Sequence, residues 1–226
     1  MRKACTAIIV AAGSAQRMQG IDKAVAPIDG VPMLRRTAEA LGRSDRIDII
    51  HIVTRADLVE TVEALCADLP KVQKILPGGA TRSASVLAGL AAVETPLVAV
   101  HDGARPLVTV PVIDGAVEMA ERYGAAAPAV GVHDTVKIAR SGVVLSTPDR
   151  VSLFAVQTPQ VFDSDLLRRA LTEGMAKELA LTDDCSAVEA MGYNVRLTPG
   201  SVENLKITTP IDLRFAEAIL KERDSQ

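Results

Sequence analysis

Four apolar runs punctuate the chain: "AIIVAA" at 7–12, "IDIIHIV" at 47–53, "PLVAVHD" at 96–102 and "AAAPAVGV" at 125–132. Each is continuous rather than alternating, the pattern of parallel strands covered on both faces. Segments with helical spacing follow them or lie between them, at 33–42, 57–67, 82–93 and 111–123. Within 82–93, Val86, Leu87, Leu90 and Val93 fall on one helical face. Strand alternating with helix predicts an α/β layered sheet. Residues 131–150, "GVHDTVKIARSGVVLSTPDR", break the rhythm. Two short β-like runs flank "RSG", which predicts a hairpin with a glycine-containing turn. Such a hairpin has little core of its own, so it is expected to pack on something, for which a partner subunit is the natural choice. Further on, "YNVRLTP" (193–199) predicts a strand and "NLKITT" (204–209) a short extended run. Pro210 is placed to open the last helix, with Thr209 as N-cap and Asp212 reaching back to it. Only the final "ERDSQ" is expected to be disordered.

Bulk composition narrows the picture. A chain of 226 residues suits one sizeable domain, here 1–226 with the hairpin excursion at about 133–150, and 48% hydrophobic content supplies its core. The net charge of −3 and 2% aromatics, without Trp, argue against a nucleic-acid partner and against base-stacking platforms. Cys5, Cys66 and Cys185 lie far apart with no CxxC pair, so a reducing, cytoplasmic setting is expected. The apolar run near the N-terminus leads directly into a glycine-bearing turn, unlike a secretory leader, and no segment approaches the length of a membrane span.

Three loops carry candidate chemistry. In the opening one, a strand runs into "AAGSAQRM", where small residues let backbone amides approach an anion; Arg17 and Lys23 add charge. A Walker A loop would need a second glycine before the lysine and a hydroxyl after it, and a dinucleotide fingerprint would need GxGxxG with an acid ending the second strand. Neither pattern is present. In "PGGATRSASVLAGL" (77–90), Gly78-Gly79 allows a tight turn, Thr81 or Ser83 can cap the next helix, and Ser85 faces the same end. In "VAVHDGARP" (98–106), Asp102 stands at the carboxyl end of a buried strand, where open α/β sheets bind ligands. A carboxylate there can coordinate Mg²⁺ or hold a ribose hydroxyl; Arg105 can grip a phosphate. His101 reads as a packed histidine, and the scattered histidines give no zinc site. "VQTPQVF" (156–162) offers Thr158, and "TDDCS" (182–186) reads as an N-cap, Thr182, followed by Asp183 and Asp184 complementing the helix dipole. Lys206 sits unusually in an apolar extended run, either as an edge-strand lysine or as a ligand-facing cation.

Taken together, "AAGSAQRM" with Lys23, "GGATRSASVLAGL", "VHDGARP", "HDTVK", Asp149-Arg150, "QTPQVF", "LTDDCSAVE" and "NLKITTPIDL" resemble the 2-C-methyl-D-erythritol 4-phosphate cytidylyltransferases of the non-mevalonate isoprenoid pathway, in order and across residues 7–213. The resemblance implies a Rossmann-like nucleotidyltransferase sheet flanked by helices, with a protruding β-hairpin arm used for dimerisation. It implies that a cytidylyl group passes from CTP to the sugar-alcohol phosphate with release of pyrophosphate, assisted by Mg²⁺ or another divalent cation. Arg17 and Lys23 would stabilise the transition state on the triphosphate. Ala11, Ala12 and Gly13 would give CTP backbone contacts, Gly79 and Ser85 would lie at cytosine and ribose, and Asp102 near ribose and the metal. Arg105, Thr135, Arg150, Thr158, Thr182 and Lys206 would hold methylerythritol phosphate, with Arg150 and Lys206 positioning its phosphate for attack. Thr135 and Arg150 would come from the neighbouring subunit of a homodimer. This chain departs from the family pattern at Ala15, Gln16 and Ala80 and in a shorter loop before Lys23, which bears on how the base is read. A ribitol 5-phosphate cytidylyltransferase is the nearest rival, since "TPQVF" and "LKITTP" suit both; "HDGARP" and "HDTVK" favour methylerythritol phosphate. A non-catalytic nucleotide-binding module is a third reading, disfavoured because every expected cation is present.

Overall fold

The computed structural model describes residues 2–13 and 25–225. In chain order its elements are β1 (Cys5–Ala11), β2 (Pro27–Ile28), β3 (Val31–Pro32), α1 (Met33–Gly42), β4 (Ile49–Thr54), α2 (Val59–Cys66), β5 (Val72–Pro77), α3 (Arg82–Leu90), β6 (Leu97–Asp102), α4 (Val110–Tyr123), β7 (Ala125–Gly131), β8 (Ile138–Arg140), β9 (Val143–Ser146), β10 (Phe154–Val156), β11 (Gln160–Asp163), α5 (Ser164–Ala176), α6 (Asp184–Ala190), β12 (Arg196–Pro199) and α7 (Pro210–Asp224). The main sheet has the order β10-β7-β11-β6-β1-β4-β5, with β12 also paired to β7. β1 lies parallel to both β4 and β6, and β4 parallel to β5. β11 enters antiparallel between β6 and β7.

The continuous apolar runs are explained by two cores, one on each face. Ala7, Ile9, Ile50, Ile52, Leu97 and Ala99 point to the face covered by α1, α2 and α4, where Leu34, Leu41, Val62, Ile113 and Val117 meet them. Their neighbours Ile8, Val53, Val98 and Val100 point the other way, against Val86 and Leu90 of α3, Leu167 and Leu171 of α5 and Val188 of α6. Period-2 side-chain alternation thus persists, but with both sides apolar. A smaller cluster of Ile28, Met33, Leu107, Ile207 and Ala216 seats α7.

The hairpin with its glycine-containing turn is present as expected. β8 and β9 pair antiparallel, and Ser141 and Gly142 between them both have positive φ, +50° and +80°. That is the mirror-image turn whose twist suits a two-residue hairpin.

Several boundaries differ from the sequence pattern. α3 stops at Leu90 rather than 93, and a short 3₁₀ turn at 56–58 precedes α2. β2, β3, β5, β10, β11 and α5 went unread. β5 mixes Gln73 and Lys74 into an apolar run and ends in proline; β10 is three residues, all exposed. The expected strand at 193–199 is confined to Arg196–Pro199. "NLKITT" forms no strand; it is tied down by the Ile207 amide donating to the Ala104 carbonyl at 2.8 Å. The expected disordered end is helical as far as Asp224, because α7 opens as foreseen. Asp212 accepts from the amides of Thr208 and Thr209 at 2.8 and 2.7 Å. Among the described residues, no helix is long and apolar enough to cross a membrane.

Candidate functional site

Three chain segments converge beyond the carboxyl ends of β1 and β6. The first continues β1 through Ala11 and Ala12 to Gly13; Arg17 and Lys23 lie outside the described residues. The second is the Gly78-Gly79 turn. A Cβ on Gly78 would stand 2.3 Å from the Ala12 Cβ, so only glycine allows these two loops to touch. Ser85, almost fully buried, shapes the turn: its hydroxyl accepts from the Gly79 amide at 3.1 Å and donates to the Thr81 carbonyl at 2.9 Å. Thr81, rather than Ser83, is the cap of α3, accepting from the Ala84 amide at 3.1 Å.

The third segment is 101–106, centred on Asp102. The chain leaves β6 there into a turn, and α4 begins only at Val110, so Asp102 caps no helix. Its carboxylate is buried and faces three cations: Lys206 Nζ at 2.8 Å, Arg82 Nη2 at 3.5 Å and Arg105 Nε at 3.9 Å. Burial pushes the Asp102 carboxyl up, but Lys206 and Arg82 outweigh it, and it is held below the ordinary carboxylate value. Lys206 is therefore no edge-strand lysine; it reaches from the 200–207 loop to this carboxylate. Arg105 is anchored in turn by donating to the Asn204 carbonyl at 2.6 Å.

Behind these groups lies a polar frame. His101 is fully buried, its Nδ1 is 3.0 Å from Thr158 Oγ1 and its Nε2 3.1 Å from the Arg105 carbonyl. Burial pushes the ring's pKa down to about 4, so it is neutral at pH 7. The Asp102 amide donates to Thr158 Oγ1 at 3.1 Å. Gln157 and Gln160 flank Thr158 and hold other loops. Gln157 donates to the Ser201 carbonyl at 2.8 Å; Gln160 donates to Asp183 at 2.7 Å and accepts from the Asp184 and Cys185 amides at 3.0 and 3.2 Å. Buried Asn204 donates to the Thr158 carbonyl at 3.0 Å.

The acid pair reads differently in three dimensions. Asp183, not Thr182, is the N-cap of α6, in a reciprocal box with Ser186. The short Asp side chain reaches the Ser186 amide at 2.9 Å, while the exposed Thr182 presents its own amide to Ser186 Oγ at 3.1 Å. Asp184 does more than complement a dipole: it is fully buried and pairs with Arg82 at 2.8 Å. Burial raises the Asp184 carboxyl, against the pull of Arg82.

Of the sequence-derived candidates, Asp102, Arg105, Thr158 and Lys206 come together at one place. Thr135 and Arg150 lie on the exposed arm, where Arg150 donates to the His133 carbonyl at 2.7 Å. Arg82, Gln157, Gln160 and Asn204 were missed, and Asp184 was read only as complementing a helix dipole. Arg82 had a signal: a cation in the first turn of a helix opposes the helix dipole and asks for a reason.

A mostly parallel α/β sheet with a ring of cations around one carboxylate at its carboxyl edge defines a class, an enzyme that manages phosphorylated, anionic ligands. Sequence comparison carries this to a family. The sequence profile of the 2-C-methyl-D-erythritol 4-phosphate cytidylyltransferases matches residues 5–222, and the chain belongs to that family. Among its relatives, the 2-C-methyl-D-erythritol 4-phosphate cytidylyltransferase of Symbiobacterium thermophilum is 46% identical over 97% of this chain and 94% of that one. That of Desulforamulus reducens is 42% identical over 96% of each. The crystal structure of 4-diphosphocytidyl-2C-methyl-D-erythritol synthase from Anaerococcus prevotii superposes with a TM-score of 0.88 at 30% identity, over 98% of this chain and 100% of that one. The Thermus thermophilus cytidylyltransferase gives 0.80 at 33%, over 95% and 98%.

Proposed function

We propose that this chain transfers the cytidylyl group of CTP to 2-C-methyl-D-erythritol 4-phosphate, yielding 4-diphosphocytidyl-2-C-methyl-D-erythritol and pyrophosphate. The observation that carries this reading is the convergence of Lys206, Arg82 and Arg105 on Asp102, in a member of this family. A substrate phosphate oxygen attacks the α-phosphorus of CTP, the α–β phosphoanhydride bond breaks, and pyrophosphate leaves with the bonding electron pair. The attacking phosphate is already ionised, so no general base is needed. The difficulty is bringing two anions together, and positive side chains offset it. In this reading Arg17 and Lys23 stabilise charge growing on the triphosphate, while Lys206 and Arg150 orient the attacking phosphate. A well-placed cation of this kind contributes about 3 kcal/mol to lowering the barrier. Ala11, Ala12, Gly13, Gly79 and Ser85 line the nucleotide side; Arg105, Thr135 and Thr182 join the sugar phosphate side.

Asp102 is the residue that would hold a divalent cation. A single carboxylate completed by substrate phosphates and water is a donor set suited to Mg²⁺. When bound, the ion would neutralise phosphate charge. The exposed arm and the neighbouring edge strand support a homodimer: Ile138, Val143, Val144 and Leu145 on the arm, with Val151 and Phe154 beside it, all present apolar surface to solvent. Three free, buried cysteines suit a reducing cytoplasm. The chain is read as one domain with this arm as its excursion.

Pyrophosphate release from CTP, measured with methylerythritol phosphate and with ribitol 5-phosphate, tests the reading. Faster turnover of the first is expected. Faster turnover of ribitol 5-phosphate would reassign the substrate, and no release with either would point to a binding module.

A further inference from the structure

We propose that Gln157 and Asn204 are positioning residues for the transfer reaction: their side-chain amides clip the 200–207 loop in place and so set where the Lys206 ammonium stands. The proposal rests on the cytidylyltransferase reading above. The loop needs such a device, because it contains no helix or strand and its apolar anchors are Leu205 and Ile207. Gln157 supplies the first hold. Ala129 of β7 is paired with Val156 on one side and with Pro199 on the other, so Gln157 and Ser201 leave the sheet on opposite sides of one strand. The Gln157 side chain crosses that gap and grips both main-chain groups of Ser201. Its Nε2 donates to the Ser201 carbonyl at 2.8 Å, and its Oε1 accepts from the Ser201 amide at 3.2 Å. A Cβ on Gly200 would stand 2.6 Å from that Oε1, so glycine lets the amide approach. Asn204, fully buried, supplies the second hold. Its Nδ2 donates to the Thr158 main-chain carbonyl at 3.0 Å, and its own main-chain carbonyl accepts from Arg105 at 2.6 Å. A backbone amide can only donate and a carbonyl only accept, so the partners fix which end of each side-chain amide is which. Lys206 lies just beyond Asn204, donates to Asp102 at 2.8 Å and is still 45% exposed, a cation whose aim is set by its loop. Packing alone does not require an amide here. Asn204 Oδ1 is buried with no partner among the described residues, an unfavourable arrangement that leucine of the same shape would avoid. What the amide supplies is the direction in which the loop is held.

Steady-state kinetics and amide hydrogen exchange of Gln157→Met and Asn204→Leu test this; both substitutions are near-isosteric and bring no charge to the site. Each is expected to lower kcat/KM for the alcohol phosphate about tenfold while the KM for CTP changes by less than about twofold, in protein whose circular dichroism matches wild type. In ligand-free protein, the peptide covering 200–207 is expected to exchange about fivefold faster in each variant, with peptides from β1 and α1 unchanged. A kcat/KM within about threefold of wild type would mean that the amides only fill space, and would overturn the proposal. So would a KM for CTP that rises in parallel, since the whole site would then be deformed. A loop that exchanges as in wild type would also overturn it, because any kinetic loss would then come from direct contact with substrate. Should one variant not fold, the other decides; should neither fold, the amides belong to the folding core and the proposal fails. Should wild-type protein turn over neither methylerythritol phosphate nor ribitol 5-phosphate, the activity reading fails while the exchange measurement still judges the clip.

Discussion

At the scale of single residues, the site is governed by what burial does to charge. His101 is neutral because a charged ring would be stranded away from water, and the consequence for stability has a definite sign. Its pKa falls from 6.5 to about 4 on folding, so the unfolded chain binds a proton that the native state refuses. Stability is then complete above pH 6.5 and is lost as pH falls toward 4, by about 3 kcal/mol in total for this ring. His51, also pushed down by burial, acts in the same direction. Urea unfolding of wild type and His101→Asn across this range, in chelator, isolates the difference: the variant should show a shallower acid decline, and parallel profiles would refute the assignment. Arg82 presents the converse case. It compensates the fully buried Asp184 at 2.8 Å, and among the described residues no other cation pairs with that carboxylate. Arg82→Leu is expected to destabilise by about 3 kcal/mol, and Arg82→Leu/Asp184→Asn to recover much of it. A double variant as unstable as the single one would mean that Arg82 contributes packing rather than charge.

At the scale of elements, length and two-sided burial together set legibility, and the four-residue β11, though buried, was too short to read. β1, β4, β6 and β7 were plain in the sequence because both of their faces are apolar, and α1 and α4 because theirs are amphipathic. β5 and β10 escaped because edge positions tolerate lysine, glutamine and exposed side chains, which erase the pattern. In the site, the residues readable in advance were those whose type is odd for their place, such as Lys206 in an apolar run and Asp102 ending a buried strand. Gln157, Gln160 and Asn204 gave no such signal, since their roles consist of bonds to loops up to 47 residues away in the chain. The arm is the element whose structure says least about itself. β8 and β9 are exposed throughout, as are Val143, Val144 and Leu145 at 65%, 55% and 60%. A two-stranded ribbon of this kind is marginal alone, so its apolar side chains want a partner. Leu145→Lys is expected to shift the chain from dimer to monomer in sedimentation at micromolar concentration while leaving the fold, read by circular dichroism, intact. A wild-type chain that is already monomeric there would remove the arm from any role in assembly.

At the scale of the whole molecule, the question is how cations on distant segments reach one pair of phosphates. Within one chain, Lys206, Arg82 and Arg105 already meet at Asp102, held by contacts that join the loops after β6, before β11 and before α7. Arg150 stands apart, exposed at the base of the arm and bonded to His133. If the arm of one subunit serves the other's site, Lys206 and Arg150 belong to the same site but to different chains. That geometry predicts complementation. Lys206→Ala and Arg150→Ala homodimers should each be nearly inactive, because every site lacks one cation. Mixed after subunit exchange, half the dimers are hybrids, and each hybrid has one site with both defects and one with neither. Activity should return to about a quarter of wild type. If each chain instead completed its own site, every site in the hybrid would still lack a cation and the mixture would remain inactive. Exchange itself is checked by pairing chains of different tag mass, so that silence after verified exchange counts against a shared site rather than against the experiment.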